Sequence, residues 1–191
     1  MIEAHNLIMI YDGNAVIENL SFALPNAGIV AISGPSGAGK TTLVRMLCGL
    51  ETPLSGEIVG LPEKVAVAFQ EARLLPWYSG YDNIKATVPE ASEEDIYKSL
   101  LRLGISKEDA AKRPAELSGG MNQRICLARA FLYQRVHDCK LLLLDEPFNG
   151  LDEENRQRAI GVVKEIAASI PVVLISHIEK DLEICDKVIE I

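Results

Sequence analysis

The stretch Gly34-Pro35-Ser36-Gly37-Ala38-Gly39-Lys40-Thr41 constrains this chain more than any other. It has the form G-x-x-x-x-G-K-[ST]. An apolar run, Ile29-Val30-Ala31-Ile32, precedes it and reads as a short buried strand, and Thr42-Leu43-Val44-Arg45-Met46-Leu47 follows it with the pattern of a helix. Glycines lack a Cβ and tolerate positive φ, so successive backbone N–H groups can converge on one anion. The N-terminus of the following helix adds unsatisfied donors and the positive end of its dipole. Lys40 offers a mobile cation for outer phosphates, and the Thr41 hydroxyl suits Mg²⁺. A strand, a glycine loop and a helix in that order point to a nucleotide phosphate, with the chemistry left open.

Bulk properties narrow the class. A chain of 191 residues makes one domain, or one domain with a subdomain. With 48% apolar and 24% charged residues it has the composition of an ordinary globular protein. The net charge of −8 argues against nucleic acid as a partner. The longest apolar runs are too short to span a bilayer, and no basic start followed by an apolar run marks a signal peptide, so the expected location is cytoplasmic. Cys48, Cys126, Cys139 and Cys185 lie in or beside apolar segments without a C-x-x-C pair and read as buried reduced thiols. His5 and His137 read as bystanders.

Along the chain, residues 2–10 and 16–24 alternate as two strands around a turn at Tyr11-Asp12-Gly13-Asn14. Residues 57–59 and 65–69 read as further short strands. From 71 to about 116 the pattern is helical, with Ser92-Glu93-Glu94-Asp95 and Ser106-Lys107-Glu108-Asp109 as capping boxes carrying Asp at the third position. Helices are expected over 121–133, 153–168 and 179–185, and strands over 140–144, 171–175 and 187–191. Such alternation argues for an α/β fold with a mixed, mainly parallel sheet, an N-terminal antiparallel β-subdomain and an inserted helical subdomain. The expected division is 1–70 with 136–191 as the α/β core and β-subdomain, and 71–135 as the helical subdomain.

A second site appears where the apolar strand Leu141-Leu142-Leu143-Leu144 ends in Asp145-Glu146-Pro147. Ligands of open α/β sheets bind at the carboxyl ends of their strands. Asp145 can hold Mg²⁺ as the partner of Thr41, while Glu146, on the other side of the pleat, can orient or deprotonate a water. Two such motifs make a P-loop NTPase without choosing among kinases, GTPases and motor-type ATPases.

Leu117-Ser118-Gly119-Gly120-Met121-Asn122-Gln123-Arg124 makes the choice. This segment resembles the LSGGQ signature of ABC-type ATPases, with Met in the last place. The resemblance runs in order over nearly the whole chain. Tyr11 matches the aromatic that stacks on adenine. Residues 34–41 match Walker A, and Gln70 matches the Q-loop. Residues 141–146 match Walker B with its catalytic glutamate. Asn149-Gly150-Leu151-Asp152 matches the D-loop, and His177 matches the switch histidine. The resemblance implies ATP and Mg²⁺ as cofactors. Glu146 and His177 are then catalytic, Thr41, Gln70 and Asp145 face the metal, and ATP is held by Tyr11, Gly34, Pro35, Ser36, Gly37, Ala38, Gly39, Lys40, Thr41 and Thr42.

It also implies partners. Ser118 caps a helix, so its hydroxyl and the N–H groups of Gly119 and Gly120 form an anion site with no cation of its own. In the family that site closes over the ATP of a second copy, head to tail. Glu71-Ala72-Arg73-Leu74-Leu75-Pro76-Trp77 lies where the family docks a membrane permease, holding the protein at the inner face of the cell membrane. These words are most similar to importer ATPases for nitrate, sulfonate, taurine or thiamine-precursor substrates. A soluble ABC-type ATPase unconnected with transport, and a P-loop kinase, are the alternatives. Two departures stand out. The segment from Lys40 to Gln70 is short for the family, trimmed near 56–64, and the sequence stops at Ile191, soon after His177, without the family's C-terminal part.

Overall fold

In the computed structural model, residues 1–35 and 37–191 are described. Two sheets share one helix between them. β1 (Ile2–Tyr11) and β2 (Asn14–Leu24) form an antiparallel hairpin, to which β4 (Ser55–Val59) adds on the far edge of β1. The hairpin turn is only Asp12-Gly13, with φ of 49° and 80°, the two-residue geometry that matches the twist of the flanking strands. The second sheet is parallel throughout, in the order β5-β6-β7-β3-β8: β5 is Ala66–Ala68, β6 Leu142–Asp145, β7 Pro171–Ile175, β3 Gly28–Ser33 and β8 Lys187–Glu190.

The pleat of the parallel sheet sorts its apolar residues into two cores. Leu142, Leu144, Val172, Leu174 and Ile29 join the larger one, under α2 (Gly80–Thr87), α3 (Glu93–Arg102), α5 (Gly119–Val136) and α6 (Glu153–Ala167). Leu141, Leu143, Val173, Ile175, Val30 and Ile32 point the other way, into a core shared with α1 (Lys40–Leu47) and the antiparallel sheet. Both faces of β6 and β7 are covered, which explains their unbroken apolar sequence. Leu43, Val44, Met46 and Leu47 of α1 fill the space between the sheets.

Helix ends follow from local chemistry. Ser79, Ser92, Ser106, Ser118 and Asp152 each accept a hydrogen bond from the backbone N–H three residues on. At Ser92 and Ser106 the hydroxyl also donates to the Asp carboxylate three residues on, so the expected pairs form side chain to side chain rather than as full capping boxes. α4 is a single turn, Lys107–Ala110, and α7 is cut to Glu179–Leu182, shorter than the pattern suggested. α5 starts at Gly119 and runs to Val136, longer than expected at both ends. The strand expected over 140–144 is shifted to Leu142–Asp145; Leu142 pairs with Ala66, whose N–H donates to the Leu141 carbonyl at 3.1 Å as the first bond of the parallel ladder.

Candidate functional site

Parity along β6 aims the acidic strand end. Asp145 shares the face of Leu141 and Leu143, the one that packs on α1. Thr41, in the first turn of α1, therefore meets it, with the hydroxyl Oγ1 3.4 Å from Asp145 Oδ2. Asp145 is buried, with 3% of its surface exposed. Burial, together with the neighbouring Glu146 charge, pushes its carboxyl above the ordinary aspartate range; the Thr41 hydroxyl and the charge of Lys40 pull the other way. A buried carboxylate held under such cost suits a hard cation bound through oxygen.

The loop before α1 is built for close approach. Gly39 has φ 88°, and a Cβ there would sit 2.8 Å from the Val16 carbonyl oxygen. At Gly34 a Cβ would stand 2.4 Å from the Ile191 carbonyl, because Ile191 continues β8 alongside and donates its N–H to the Ser33 carbonyl at 2.9 Å. Lys40 Nζ lies inside the loop, donating to the carbonyls of Gly34 at 2.8 Å and Pro35 at 2.7 Å. Ser36 lies outside the described residues.

Glu146 leaves the strand rather than continuing its pleat. Its N–H still donates to the Ile175 carbonyl at 2.9 Å, but its φ is 46°, left-handed and rare for a residue with a side chain. That turn brings its carboxylate among three groups. Gln70 Nε2 donates to Oε2 at 3.1 Å, Asn149 Nδ2 donates to the same oxygen at 2.9 Å, and His177 Nδ1 lies 3.1 Å from Oε1. Gln70 follows β5, Asn149 follows β6 and His177 follows β7, so three carboxyl ends of adjacent strands converge on one acid. Asn149 was legible in the sequence only as part of a four-residue match; its contact depends on the left-handed turn at Glu146.

A cleft of about 290 Å³ is lined by Val16, Gly37, Gly39, Lys40, Thr41, Thr42, Gln70, Asp145, Glu146 and Ile175. Tyr11 is outside that lining, at the end of β1. Its hydroxyl donates to Glu51, and that bond raises the phenol above its ordinary value, with burial adding and a hydrogen bond with Thr42 opposing. Ser118, Gly119 and Gly120 are also outside the cleft. Ser118 Oγ accepts from the Met121 N–H at 3.2 Å, and both Ser118 and Gly119 are exposed at the start of α5. The loop before α1 and the N-terminus of α5 in one chain thus do not share a pocket.

Behind the site sits a buried ion pair the sequence did not disclose. Arg156 of α6 donates to Asp181 Oδ1 at 2.7 and 3.2 Å, and Ser176 Oγ donates to Asp181 Oδ2 at 2.6 Å. Ser176 in turn accepts the Ile178 N–H at 3.1 Å, so the residues on either side of His177 are tied to α7. The cysteines are free thiols, as expected: Cys126 and Cys139 are buried, and burial pushes Cys48 up to about 11 and Cys185 to about 12. Among the described residues, no helix is long and apolar enough to cross a membrane.

A glycine loop at the start of a helix, beside an acidic strand end on a parallel sheet, defines a P-loop nucleotide hydrolase. Comparison with known proteins refines the class. A family model described as ABC transporter matches residues 17–149. The aliphatic sulfonates import ATP-binding protein SsuB 2 of Agrobacterium fabrum is 38% identical over 189 residues, covering 94% of this chain and 71% of that protein. Its counterpart SsuB of Escherichia coli K12 is 35% identical over 189 residues, covering 94% and 72%. Among solved structures, a dimeric ATP-binding cassette in a post-hydrolysis state with ADP and phosphate superposes with a TM-score of 0.88, over 100% of this chain and 94% of that one, at 22% identity. The chain belongs to the ABC transporter family, as an ATP-binding, ATP-hydrolysing subunit.

Proposed function

We propose that this ATPase powers import of a small anionic solute, of the alkanesulfonate kind, through a membrane permease. The observation that carries the hydrolytic part is the convergence of Gln70, Asn149 and His177 on the Glu146 carboxylate, beside the Thr41–Asp145 pair. ATP phosphates lie in the loop 34–41, with Lys40 turning from the loop carbonyls to the β- and γ-phosphates and Thr42 beside them. Tyr11, 40% exposed at the end of β1, stacks on the adenine.

Thr41, Asp145 and Gln70 would hold Mg²⁺, a set of oxygen donors suited to a hard ion. Bound there, Mg²⁺ would neutralise charge on the phosphates. Glu146 accepts a proton from the attacking water. His177 swings from Glu146 to the γ-phosphate and donates to it. Ser118, Gly119 and Gly120 complete the site from a second copy, which explains why they lie exposed and apart from the cleft of their own chain. The arrangement is two-fold, the same surface being used twice.

The solute class rests on the sulfonate importers named above, which are similar to this chain over nearly its whole length. The docking surface rests on 71–77. Ala72 and Leu74 pack against the larger core, whereas Leu75, Trp77 and Tyr78 are exposed, with Trp77 at 62%. Apolar side chains grouped and left open in this way mark a partner site. Docking there places the subunit on the cytoplasmic side of the cell membrane and couples the block 71–135 to the core through Gln70. The test of the hydrolytic reading is Glu146→Gln. It should retain ATP binding, slow hydrolysis by roughly 10²–10⁴-fold and accumulate a dimer with ATP; hydrolysis at the normal rate would refute the assigned base. Uptake of a labelled alkanesulfonate by cells carrying this chain, absent in cells without it, tests the solute.

A further inference from the structure

We propose that Glu51 is a positioning residue for Tyr11, holding the ring in place for the adenine base before ATP arrives. The inference rests on the reading of Tyr11 as the adenine platform. Tyr11 closes β1 at the hairpin turn, exposed, and lies outside the lining of the cleft that takes the phosphates. An exposed ring has rotamer freedom, and ordering it when a base arrives costs affinity. A hydrogen bond at its tip removes much of that freedom beforehand. The Tyr11 hydroxyl donates to Glu51, 40 residues on, and Thr42 faces the same hydroxyl from the first turn of α1. The phenol is thus tied to the helix whose N-terminus carries the phosphate loop.

Glu51 is itself fixed. α1 ends in a turn where Gly49, at φ 69°, donates to the Met46 carbonyl at 2.9 Å and Leu50 donates to the Arg45 carbonyl at 2.8 Å. That turn stops the helix and brings Glu51 back beside Arg45, whose Nη1 donates to Glu51 Oε1 at 3.0 Å. Each carboxylate oxygen then has its own donor, Arg45 on Oε1 and the Tyr11 hydroxyl on Oε2. An acid near a triphosphate repels it, and the Arg45 guanidinium offsets that charge. Among the described residues, none of these hydrogen bonds reaches Lys40, Asp145 or Glu146, whose partners are the loop carbonyls, Thr41, Gln70, Asn149 and His177. The effect of Glu51 therefore falls on the base and not on the phosphates.

The experiment titrates the full chain and its variants with two ligands in the presence of Mg²⁺: ATP, and tripolyphosphate, which has the phosphate chain without base or sugar. Glu51→Ala should weaken ATP by about 5-fold, as for an exposed hydrogen bond to a charged group, and leave tripolyphosphate as in the wild type. Glu51→Gln keeps an acceptor for the phenol and should recover most of that loss. Tyr11→Phe keeps the ring and removes its hydroxyl, so it tests the same bond from the other end. It should weaken ATP as Glu51→Ala does, and the two changes together should weaken it no further. Melting temperatures show that each variant is folded. Glu51→Ala losing affinity for both ligands alike, or binding ATP as the wild type does while Tyr11→Ala binds it weakly, would overturn the inference and leave the platform standing. Tyr11→Ala binding ATP as tightly as the wild type would overturn the platform and this inference together.

Discussion

Asp145→Asn should make the protein more stable without nucleotide and less responsive to it. The carboxyl is 3% exposed, lies next to Glu146, and has its pKa raised by burial and by that neighbour. A carboxyl whose folded pKa is raised binds its proton more tightly in the folded state, so its charged form costs stability above that pKa. The amide is nearly the same size and removes the charge. Relief of an imperfectly compensated buried charge is worth about 1–2 kcal/mol, which at roughly 2–4 °C per kcal/mol for a chain of this size raises Tm by about 2–8 °C. The gap should be full above the raised carboxyl pKa and close as pH falls through it, where the wild-type side chain also becomes neutral. Adding Mg²⁺ and ATP should reverse the order: at about 100 times Kd the wild type gains about 2.7 kcal/mol by mass action, while the variant, lacking the carboxylate proposed to hold Mg²⁺, gains little. Differential scanning fluorimetry at neutral and acid pH, with and without Mg²⁺ and ATP, reads all four states. A variant that melts below the wild type without ligand would refute the claim that Asp145 is held against its own stability.

Gly39→Ala should destroy nucleotide binding and lower Tm by several degrees. A left-handed residue with a side chain costs about 1–2 kcal/mol, and the Val16 carbonyl stands 2.8 Å from the added methyl; calorimetric titration with ATP checks it. Arg156→Met should destabilise the fold by about 3–5 kcal/mol, because it leaves Asp181 buried and unpaired. The double variant Arg156→Met with Asp181→Leu should recover much of that loss in urea melts. Trp77→Ala should leave melting and ATP hydrolysis by the isolated subunit within about 0.5 kcal/mol of wild type, the ring being largely exposed. The same change should reduce co-purification with a membrane permease.

Much of the fold could be read from residues 28–47 and 140–146, because an apolar strand, a glycine loop and a helix leave few alternatives. The two-sheet division followed from alternation in 2–24 and its loss in 141–144. Element ends were less legible. α5 runs to Val136 and α7 is one turn, limits that the spacing of apolar residues did not mark. The thiols were legible as reduced, but only Cys126 and Cys139 are buried; Cys48 and Cys185 are half-buried, because apolar neighbours along the chain do not fix how deeply a residue packs.

The motif 34–41 thus determined by itself that this chain carries a phosphate loop, since glycines, lysine and threonine at that spacing act through local backbone geometry. The apolar run 141–144 likewise named Asp145 and Glu146 as acids at a strand end. Only the tertiary structure decided what those acids face. Which face of β6 lies against α1 depends on how two cores divide around the sheet, and that division turns Asp145 toward Thr41. The left-handed turn at Glu146 then gathers Gln70, Asn149 and His177, which lie 76, 3 and 31 residues away in sequence, onto one carboxylate. No local pattern encodes such a meeting, because it is set by the order of strands in the sheet rather than by their order in the chain.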